Sequence, residues 1–347
     1  MPTALVTGGS GYFGEIVVRR LLDRGWSVTV FDRVDVPDRP REVRFLRGDI
    51  RDARAVRAAC EGVEVVHHAV AQVPLAKDAA LFRGVNVDGT RHLLEAVRLA
   101  GVRKTVLVSS SAVFGVPSRN PVDDSVRPAP REAYGRAKLE GEELAREACR
   151  RHGLDVTIVR PRTILGHGRL GIFQILFEWV RTGADVWVLG QGDNRYQFVH
   201  ADDLADACLR AADRPGAATY NIGTDRFGTM RELLEGLVRH AGTRSRVRSL
   251  PFGPTVRAME LASRLGASPL GAYHSLMYGR EMFFDLARPM RELGWRPRRS
   301  NDEMIQESYD HYVAHREEIL ARRDASHHRS AVRRGALRLL ELVPRWP

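Results

Sequence analysis

With 347 residues, 44% of them hydrophobic and 28% charged, the chain is long enough for a large α/β domain that carries a smaller lobe. It contains no apolar run near the roughly 18 residues that a membrane span requires, and its first residues lack the features of a secretion signal, so we expect a cytoplasmic protein. The net charge of +11 could suit nucleic acid, but the chain has only three lysines and spreads its arginines over its whole length, which argues against that partner.

Short runs of β-branched residues alternate with amphipathic segments of helical length along most of the chain. This alternation predicts a parallel sheet that is covered by helices on both faces, and right-handed crossovers make a doubly wound sheet the expected topology. The predicted strands are Ala4–Thr7, Ser27–Phe31, Val43–Leu46, Val63–His67, Thr105–Ser109, Val156–Val159, Val186–Leu189 and Thr219–Ile222.

A glycine-rich turn follows the first predicted strand. Gly9, Gly11 and Gly14 have the spacing G-x-G-x-x-G between that strand and a predicted helix that ends near Arg24. Such glycines let the backbone approach a pyrophosphate, which then rests on the helix N-terminus. Asp32 ends the second strand, where a carboxylate can accept hydrogen bonds from ribose hydroxyls and repel a 2′-phosphate. The sequence therefore predicts a dinucleotide cofactor, and NAD rather than NADP.

The alternation of strands and helices becomes less regular after Pro161. We expect residues 1–162 to form the NAD-binding domain of an α/β, Rossmann-type fold, completed by strands near 186–224. Residues 163–320 are expected to form mainly a substrate-binding lobe, and residues 321–347 a basic tail. Because ligands of such sheets lie at the carboxyl ends of the strands, the substrate is expected between the domain and the lobe.

Tyr134 and Lys138 are four residues apart in a predicted helix that runs to about Arg150, so they lie on one face of it. An unperturbed tyrosine titrates near pH 10, so a neighbouring cation would help this phenol to act as a base near neutral pH. Three serines, Ser109–Ser111, follow a predicted strand and place hydroxyl groups at the same edge of the sheet. These hydroxyl groups are therefore expected beside the glycine turn.

Taken together, the motifs resemble those of the NAD-dependent epimerase/dehydratase family of extended short-chain dehydrogenases/reductases, from residue 1 to about residue 315. The resemblance implies that Tyr134 exchanges the substrate proton, that Lys138 binds the nicotinamide ribose, and that Ser110 orients the substrate hydroxyl. It rests on TGGSGYFG at 7–14, Asp32, Gly48-Asp49-Ile50, the segments 67–72 and 86–90, SSSAVFG at 109–115, YGRAK at 134–138, and Arg160-Pro161.

The resemblance also implies a set of cofactor contacts, in which Asp49 and Ile50 frame the adenine and the backbone after the fourth strand lines the cofactor. The expected cofactor-binding residues are Gly8, Gly9, Gly11, Tyr12, Phe13, Gly14, Asp32, Arg33, Asp49, Ile50, Ala69, Val70, Ala71, Asn86, Ser109, Tyr134, Lys138 and Pro161. No metal is expected, because the histidines and the three cysteines lack the spacing of metal ligands.

The residues after the catalytic serine limit the reaction. Dehydratases of the family carry an acidic pair there, and decarboxylases keep a glutamate at the position of Ala112, whereas this chain has Ser111 and Ala112. We therefore expect hydride transfer at a secondary alcohol. A nucleotide-sugar epimerase is the leading hypothesis, a hydroxysteroid or hydroxy-lipid dehydrogenase is the second, and a non-catalytic NAD-binding regulatory protein is the third.

The chain differs from nucleotide-sugar epimerases at two positions where those enzymes usually bind the diphosphate of the substrate. Thr163 stands where those enzymes usually have an asparagine, and Tyr196 where they usually have an arginine on the diphosphate, with Arg195 one residue earlier. Arg195 could reach the diphosphate by a small shift, while the apolar stretch Phe252–Phe284 would suit a lipid or sterol-like alcohol, as in 3β-hydroxysteroid dehydrogenases. The expected substrate-binding residues are Gln72, Ser110, Ser111, Ala112, Thr163, Arg195 and Tyr196.

The segment from Ala321 to Pro347 carries seven arginines but only two acidic residues, and its apolar residues recur at helical spacing. An amphipathic helix that packs on its own domain or on a partner subunit is expected, with a peripheral membrane contact as the alternative. The family resemblance further implies a homodimer that pairs the helices near Ala79–Ala100 and Tyr134–Arg150.

Overall fold

The structure is a computed structural model, and it describes residues 1–73, 79–168, 173–264, 277 and 279–321. The strands are β1 (Thr3–Thr7), β2 (Ser27–Asp32), β3 (Arg44–Arg47), β4 (Val65–His68), β5 (Lys104–Val108), β6 (Val156–Pro161), β7 (Thr163–Leu165), β8 (Val186–Leu189), β9 (Phe198–His200), β10 (Ala218–Ile222) and β11 (Val247–Leu250).

The α-helices are α1 (Tyr12–Asp23), α2 (Ala53–Cys60), α3 (Ala79–Arg83), α4 (Gly89–Ala100), α5 (Ala133–His152), α6 (Phe173–Thr182), α7 (Ala201–Asp213), α8 (Met230–Ala241), α9 (Phe252–Arg264), α10 (Ala287–Leu293), α11 (Asn301–Ala314) and α12 (Arg316–Ala321). A π-helical turn, Gly84–Asp88, joins α3 to α4, and a short 3₁₀ helix, Ser111–Phe114, follows β5.

Seven of the described strands form one parallel sheet in the order β10-β6-β5-β4-β1-β2-β3. Strands β2 and β3 follow β1 on one side of the sheet, and β4, β5, β6 and β10 follow on its other side. The direction of the strand order therefore reverses between β1 and β4, and a crevice opens between the carboxyl ends of these two strands. The predicted doubly wound parallel sheet is confirmed.

One predicted strand has a different partner from the one expected. Val186–Leu189 pairs with Val247–Leu250 in a separate two-stranded sheet, so the prediction that it helps to complete the central sheet is wrong. Ala218–Ile222 completes that sheet beside β6. A four-residue apolar run indicates a strand but not its partner, which depends on tertiary packing.

The central strands are buried on both faces because helices cover both. Ala4 and Val6 of β1 pack against α1 and α7, whereas Leu5 between them packs against α2 and α4. Successive side chains of a strand point to opposite faces, which explains why these runs are apolar throughout.

A second hydrophobic core lies among α6, α8, α11 and the strands β8 and β9. Phe177, Leu237 and Tyr312 are fully buried in it. Asn301, at the start of α11, accepts a hydrogen bond from the Phe198 N–H and donates one to the Tyr196 carbonyl, at 3.0 and 2.5 Å. The late helices therefore support the segment that bears Tyr196.

The described part of the chain contains no cluster of metal ligands and no disulfide bond. There, no three His, Cys, Asp or Glu side chains come together as metal ligands. Cys60, Cys149 and Cys208 are free thiols, and burial raises the pKa of Cys60 to about 12.

The described helices include none that is long and apolar enough to cross a membrane. The predicted tail helix lies outside the described residues from 322 onward, as does the part of the apolar stretch between 265 and 276.

Candidate active site

The glycine turn between β1 and α1 depends on two close approaches of the backbone. Gly8 has a φ of +75°, and a Cβ on Gly14 would lie only 2.1 Å from the Gly8 carbonyl oxygen. Gly11 is the N-cap of α1 and provides no side-chain hydrogen bond to the helix. The buried Ser10 hydroxyl beside it has no hydrogen-bond partner among the described residues. The N–H groups at a helix N-terminus and an unused hydroxyl form a site suited to a pyrophosphate.

Asp32 lies where β2 ends, next to the glycine turn. Its carboxylate accepts hydrogen bonds from the N–H groups of Ser10 and Arg33, at 3.2 and 2.7 Å, and burial raises its pKa. The Arg33 Nε lies 3.7 Å from the Asp49 Oδ2, so this guanidinium faces a carboxylate of the chain. The arrangement fits the adenosine ribose of NAD better than a 2′-phosphate, because Asp32 would repel that phosphate.

Replacing Asp32 with alanine is expected to weaken NAD binding about tenfold or more, since charged hydrogen bonds contribute roughly 1.5–3 kcal/mol each. The affinity for NADP relative to NAD should rise, because a like-charge repulsion is removed. Titrations with both cofactors, with the exposed Asp38→Ala as a matched control, would measure the change. A native protein that already prefers NADP would contradict this role of Asp32.

The loop Ala69–Gln72 after β4 lies against the glycine turn. A Cβ on Gly8 would be 2.7 Å from the Val70 nitrogen, so the two backbone segments are in direct contact. The Asn86 side chain accepts a hydrogen bond from the Gln72 N–H and donates one to its carbonyl oxygen, at 2.9 and 3.0 Å. Asn86, predicted as a cofactor contact, thus holds the loop that was predicted to line the cofactor.

Tyr134 is the second residue of α5, and its position is set by two contacts. The Glu132 carboxylate accepts hydrogen bonds from the N–H groups of Tyr134 and Gly135, at 2.7 and 2.6 Å. A Cβ on Gly135 would lie 2.5 Å from the Ala112 carbonyl oxygen, so glycine permits a close contact with the 3₁₀ helix that begins after Ser110. The structure therefore places the predicted tyrosine and serine on adjoining segments.

Lys138 lies one helical turn after Tyr134 and is buried. Its Nζ donates a hydrogen bond to the Val108 carbonyl at the end of β5, at 3.0 Å. Burial lowers the pKa of Lys138 to about 8, and the Glu142 carboxylate acts in the opposite direction. An ammonium held on this face of α5 favours the ionised form of a neighbouring phenol.

Glu142, another turn along α5, is completely buried among cations. It accepts hydrogen bonds from Arg160, at 2.8 and 2.6 Å, from Arg146 at 2.6 Å, and from the Ser109 hydroxyl at 2.6 Å. Ser109, a predicted cofactor contact, donates its hydroxyl hydrogen to Glu142. Sequence reasoning missed Glu142, although its spacing of four residues from Lys138 was a usable signal.

The structure brings three predicted substrate residues together around an arginine that was not predicted. The Ser111 hydroxyl accepts a hydrogen bond from the Arg162 Nη1 at 2.9 Å. The hydroxyls of Thr163 and Tyr196 are 3.0 Å apart, and the Arg162 guanidinium carbon lies 4.9 Å from the centre of the Tyr196 ring. Arg162, which contacts two of these three residues, was not itself predicted.

Arg195, in contrast, is separated from this group. It is exposed while its neighbour Tyr196 is buried, and its guanidinium carbon lies 4.3 and 5.0 Å from the ring centres of Phe283 and Phe227. A cation above two aromatic rings is held by stacking, so the variants Arg195→Ala and Phe283→Ala would disturb the same contact.

The glycine turn and Asp32 form a site suited to a dinucleotide, and the buried Lys138 lies one helical turn after Tyr134 on α5. The fold and the site therefore define an NAD-dependent oxidoreductase of the short-chain dehydrogenase/reductase type. The chain belongs to the NAD-dependent epimerase/dehydratase family, whose sequence profile matches residues 4–223.

Three similar proteins bear on the function. The uncharacterized protein y4nG of Sinorhizobium fredii is 53% identical over 97% of this chain and 85% of its own length. The 3 beta-hydroxysteroid dehydrogenase/Delta 5-->4-isomerase of Mycobacterium tuberculosis is 30% identical, over 89% of this chain and 90% of its own. The crystal structure of Thermus thermophilus UDP-glucose 4-epimerase in complex with NAD superposes with a TM-score of 0.73 and 27% identity, over 90% of this chain and 99% of that one.

Proposed function

We propose that the protein is an NAD-dependent nucleotide-sugar epimerase. The observation that carries the proposal is the surroundings of Ser110, where Ser111 is bonded to Arg162 and Ala112 is buried at 1% exposure, so neither position supplies a second acid for dehydration or decarboxylation. Tyr134 then serves as the acid and base of a reversible oxidation. The similarity in fold and sequence to an NAD-bound UDP-glucose 4-epimerase supports this choice.

The chain's own residues have separable tasks in this reaction. Ser110 holds the substrate hydroxyl, Tyr134 takes its proton, and Lys138 favours the phenolate that accepts it. NAD, when bound, would supply the hydride acceptor for the carbon that bears this hydroxyl. In an epimerase the transient ketone stays enclosed and is reduced from its other face, whereas in a dehydrogenase it leaves as product.

A dehydrogenase of a steroid or another hydroxy-lipid is the second candidate, and specific contacts favour it. The hydroxyl of Thr163 is engaged by Tyr196, and Arg195 is exposed on two phenyl rings, so neither is arranged around a diphosphate. The similarity to a 3 beta-hydroxysteroid dehydrogenase over most of both chains supports this alternative.

Calorimetry with UDP, dTDP and GDP, in the presence of NAD, separates the two candidates. We expect one of these nucleotides to bind, with the Arg195 guanidinium leaving the rings of Phe227 and Phe283 to reach the diphosphate. Arg195→Ala should then weaken the binding of that nucleotide about tenfold, the loss expected for one charged hydrogen bond. Phe252→Ala tests the hydroxy-lipid candidate, because the loss of this ring should weaken the binding of a lipid alcohol. Phe283→Ala is less suitable, because Phe283 lies under Arg195 and its loss would also disturb that arginine.

Turnover assays distinguish an epimerase, a dehydrogenase and a non-catalytic regulatory protein. An epimerase forms product without a net change in nicotinamide absorbance, a dehydrogenase reduces NAD, and a regulatory protein does neither. Absence of binding by all three nucleotides would overturn the nucleotide-sugar proposal in favour of the hydroxy-lipid one.

A further inference from the structure

Arg162 is a buried cation for which the described chain provides no counter-charge. It is 1% exposed, its Nη1 donates to Ser111, and its Nε and Nη2 are buried without a hydrogen-bond partner among the described residues. Within the described residues, no carboxylate forms an ion pair with it. A guanidinium stays protonated in proteins, so it carries its full charge in this enclosed position.

Arg160, two residues earlier in the same segment, is a buried arginine that is paired with a carboxylate. Its guanidinium is also buried, and it makes two hydrogen bonds of 2.8 and 2.6 Å with Glu142. Burial of a charge is unfavourable unless it is paired and hydrogen-bonded. Since the described part of the chain pairs Arg160 with a carboxylate and gives Arg162 none, an anionic ligand is expected to supply the partner of Arg162.

Arg162 adjoins the segment that carries the predicted catalytic serine, Ser110. Arg162 lies between Tyr196 and Ser111, and Ser111 directly follows Ser110. Ser111 and Tyr134 are themselves only 2% and 7% exposed, so a substrate that reaches the phenol enters the same enclosed region. The Nε and one Nη of a guanidinium form a fork that matches a planar oxyanion.

We propose that Arg162 binds a carboxylate of the substrate, close to the carbon that is oxidised beside Tyr134. The inference rests on the proposed function and narrows it to a nucleotide sugar whose sugar ring carries a carboxylate. A diphosphate offers a similar charge, but the position of Arg162 next to the Ser110-Ser111 pair favours a group near the reacting carbon.

The first experiment compares UDP-glucuronic acid, UDP-glucose and UDP by calorimetry in the presence of NAD. The native protein should bind the acid at least tenfold more tightly than UDP-glucose. Arg162→Met, which keeps the length of the side chain without its charge, should abolish that preference and leave UDP binding unchanged. The exposed Arg41→Met serves as the matched control and should retain the preference.

Two outcomes of this experiment would overturn the proposal. A preference for the acid that survives in Arg162→Met would show that another group holds the carboxylate. An equal loss of affinity for all three compounds would show that Arg162 holds the diphosphate. Arg162→Lys provides a second variant, which keeps the charge without the fork and should retain only part of the preference.

The second experiment does not depend on a nucleotide. Thermal unfolding with NAD is measured in sodium acetate and in sodium chloride at equal concentration, for the native protein, Arg162→Met and Arg41→Met. Acetate should raise the unfolding temperature of the native protein and of Arg41→Met more than that of Arg162→Met. If none of the UDP compounds binds, the nucleotide-sugar function fails, and an equal effect of acetate on all three proteins would overturn the role of Arg162 separately.

Discussion

Replacing Tyr134 with phenylalanine is expected to reduce turnover by about 10²–10⁴-fold, the range typical of losing a general acid or base. The phenyl ring can occupy the same apolar surroundings, where Tyr134 packs near Phe82 and Ala112, so the fold and NAD binding should change little. The measurement is the rate of product formation at saturating NAD, with the NAD dissociation constant determined in parallel.

Tyr220→Phe is a suitable control for this prediction, because Tyr220 is also buried and hydrogen-bonded, to Glu292 at 2.8 Å, but lies on the edge strand β10. Its turnover should stay near the native value. Near-native turnover of Tyr134→Phe would mean that another group moves the proton.

Replacing Glu142 with glutamine should lower the free energy of unfolding by about 3–5 kcal/mol, because removing one partner of a buried ion pair leaves the other charge without compensation. Arg160 would be that charge, since it is buried and makes two hydrogen bonds to Glu142. Urea unfolding at neutral pH measures the loss.

Glu147→Gln gives the comparison on the same helix, because Glu147 pairs with Arg151 at 3.0 Å with both side chains exposed. Such a pair contributes about 0–1 kcal/mol. If Glu142→Gln were no more destabilising than Glu147→Gln, the buried cluster would not be a major source of stability.

Much of the fold could be predicted from the sequence because its signals are local. The G-x-G-x-x-G turn needs glycine for reasons that act within a few residues, as the 2.1 Å approach at Gly14 shows. The strands of a parallel sheet are apolar on both faces, which makes runs such as Val156–Val159 visible without knowledge of their neighbours.

What escaped prediction depends on contacts between distant segments. Val186–Leu189 is recognisable as a strand, but its pairing with Val247–Leu250 is decided by the second core. Arg162 gave no signal of its own, since its interest comes from the absence of a counter-charge among the described residues, and a sequence cannot show which buried charge lacks a partner.

The junction of β6 and β7 separates the predicted cofactor residues from three residues that are predicted or proposed to bind the substrate. The predicted cofactor residues all lie at or before Pro161, whereas Arg162, Thr163 and Tyr196 lie after it. A codon library confined to these three positions would therefore vary the alcohol that is accepted while every clone keeps the same nicotinamide chemistry. A single absorbance screen could then compare all clones for dehydrogenation, and the family's hydride transfer could be redirected without redesigning the sheet that supports it.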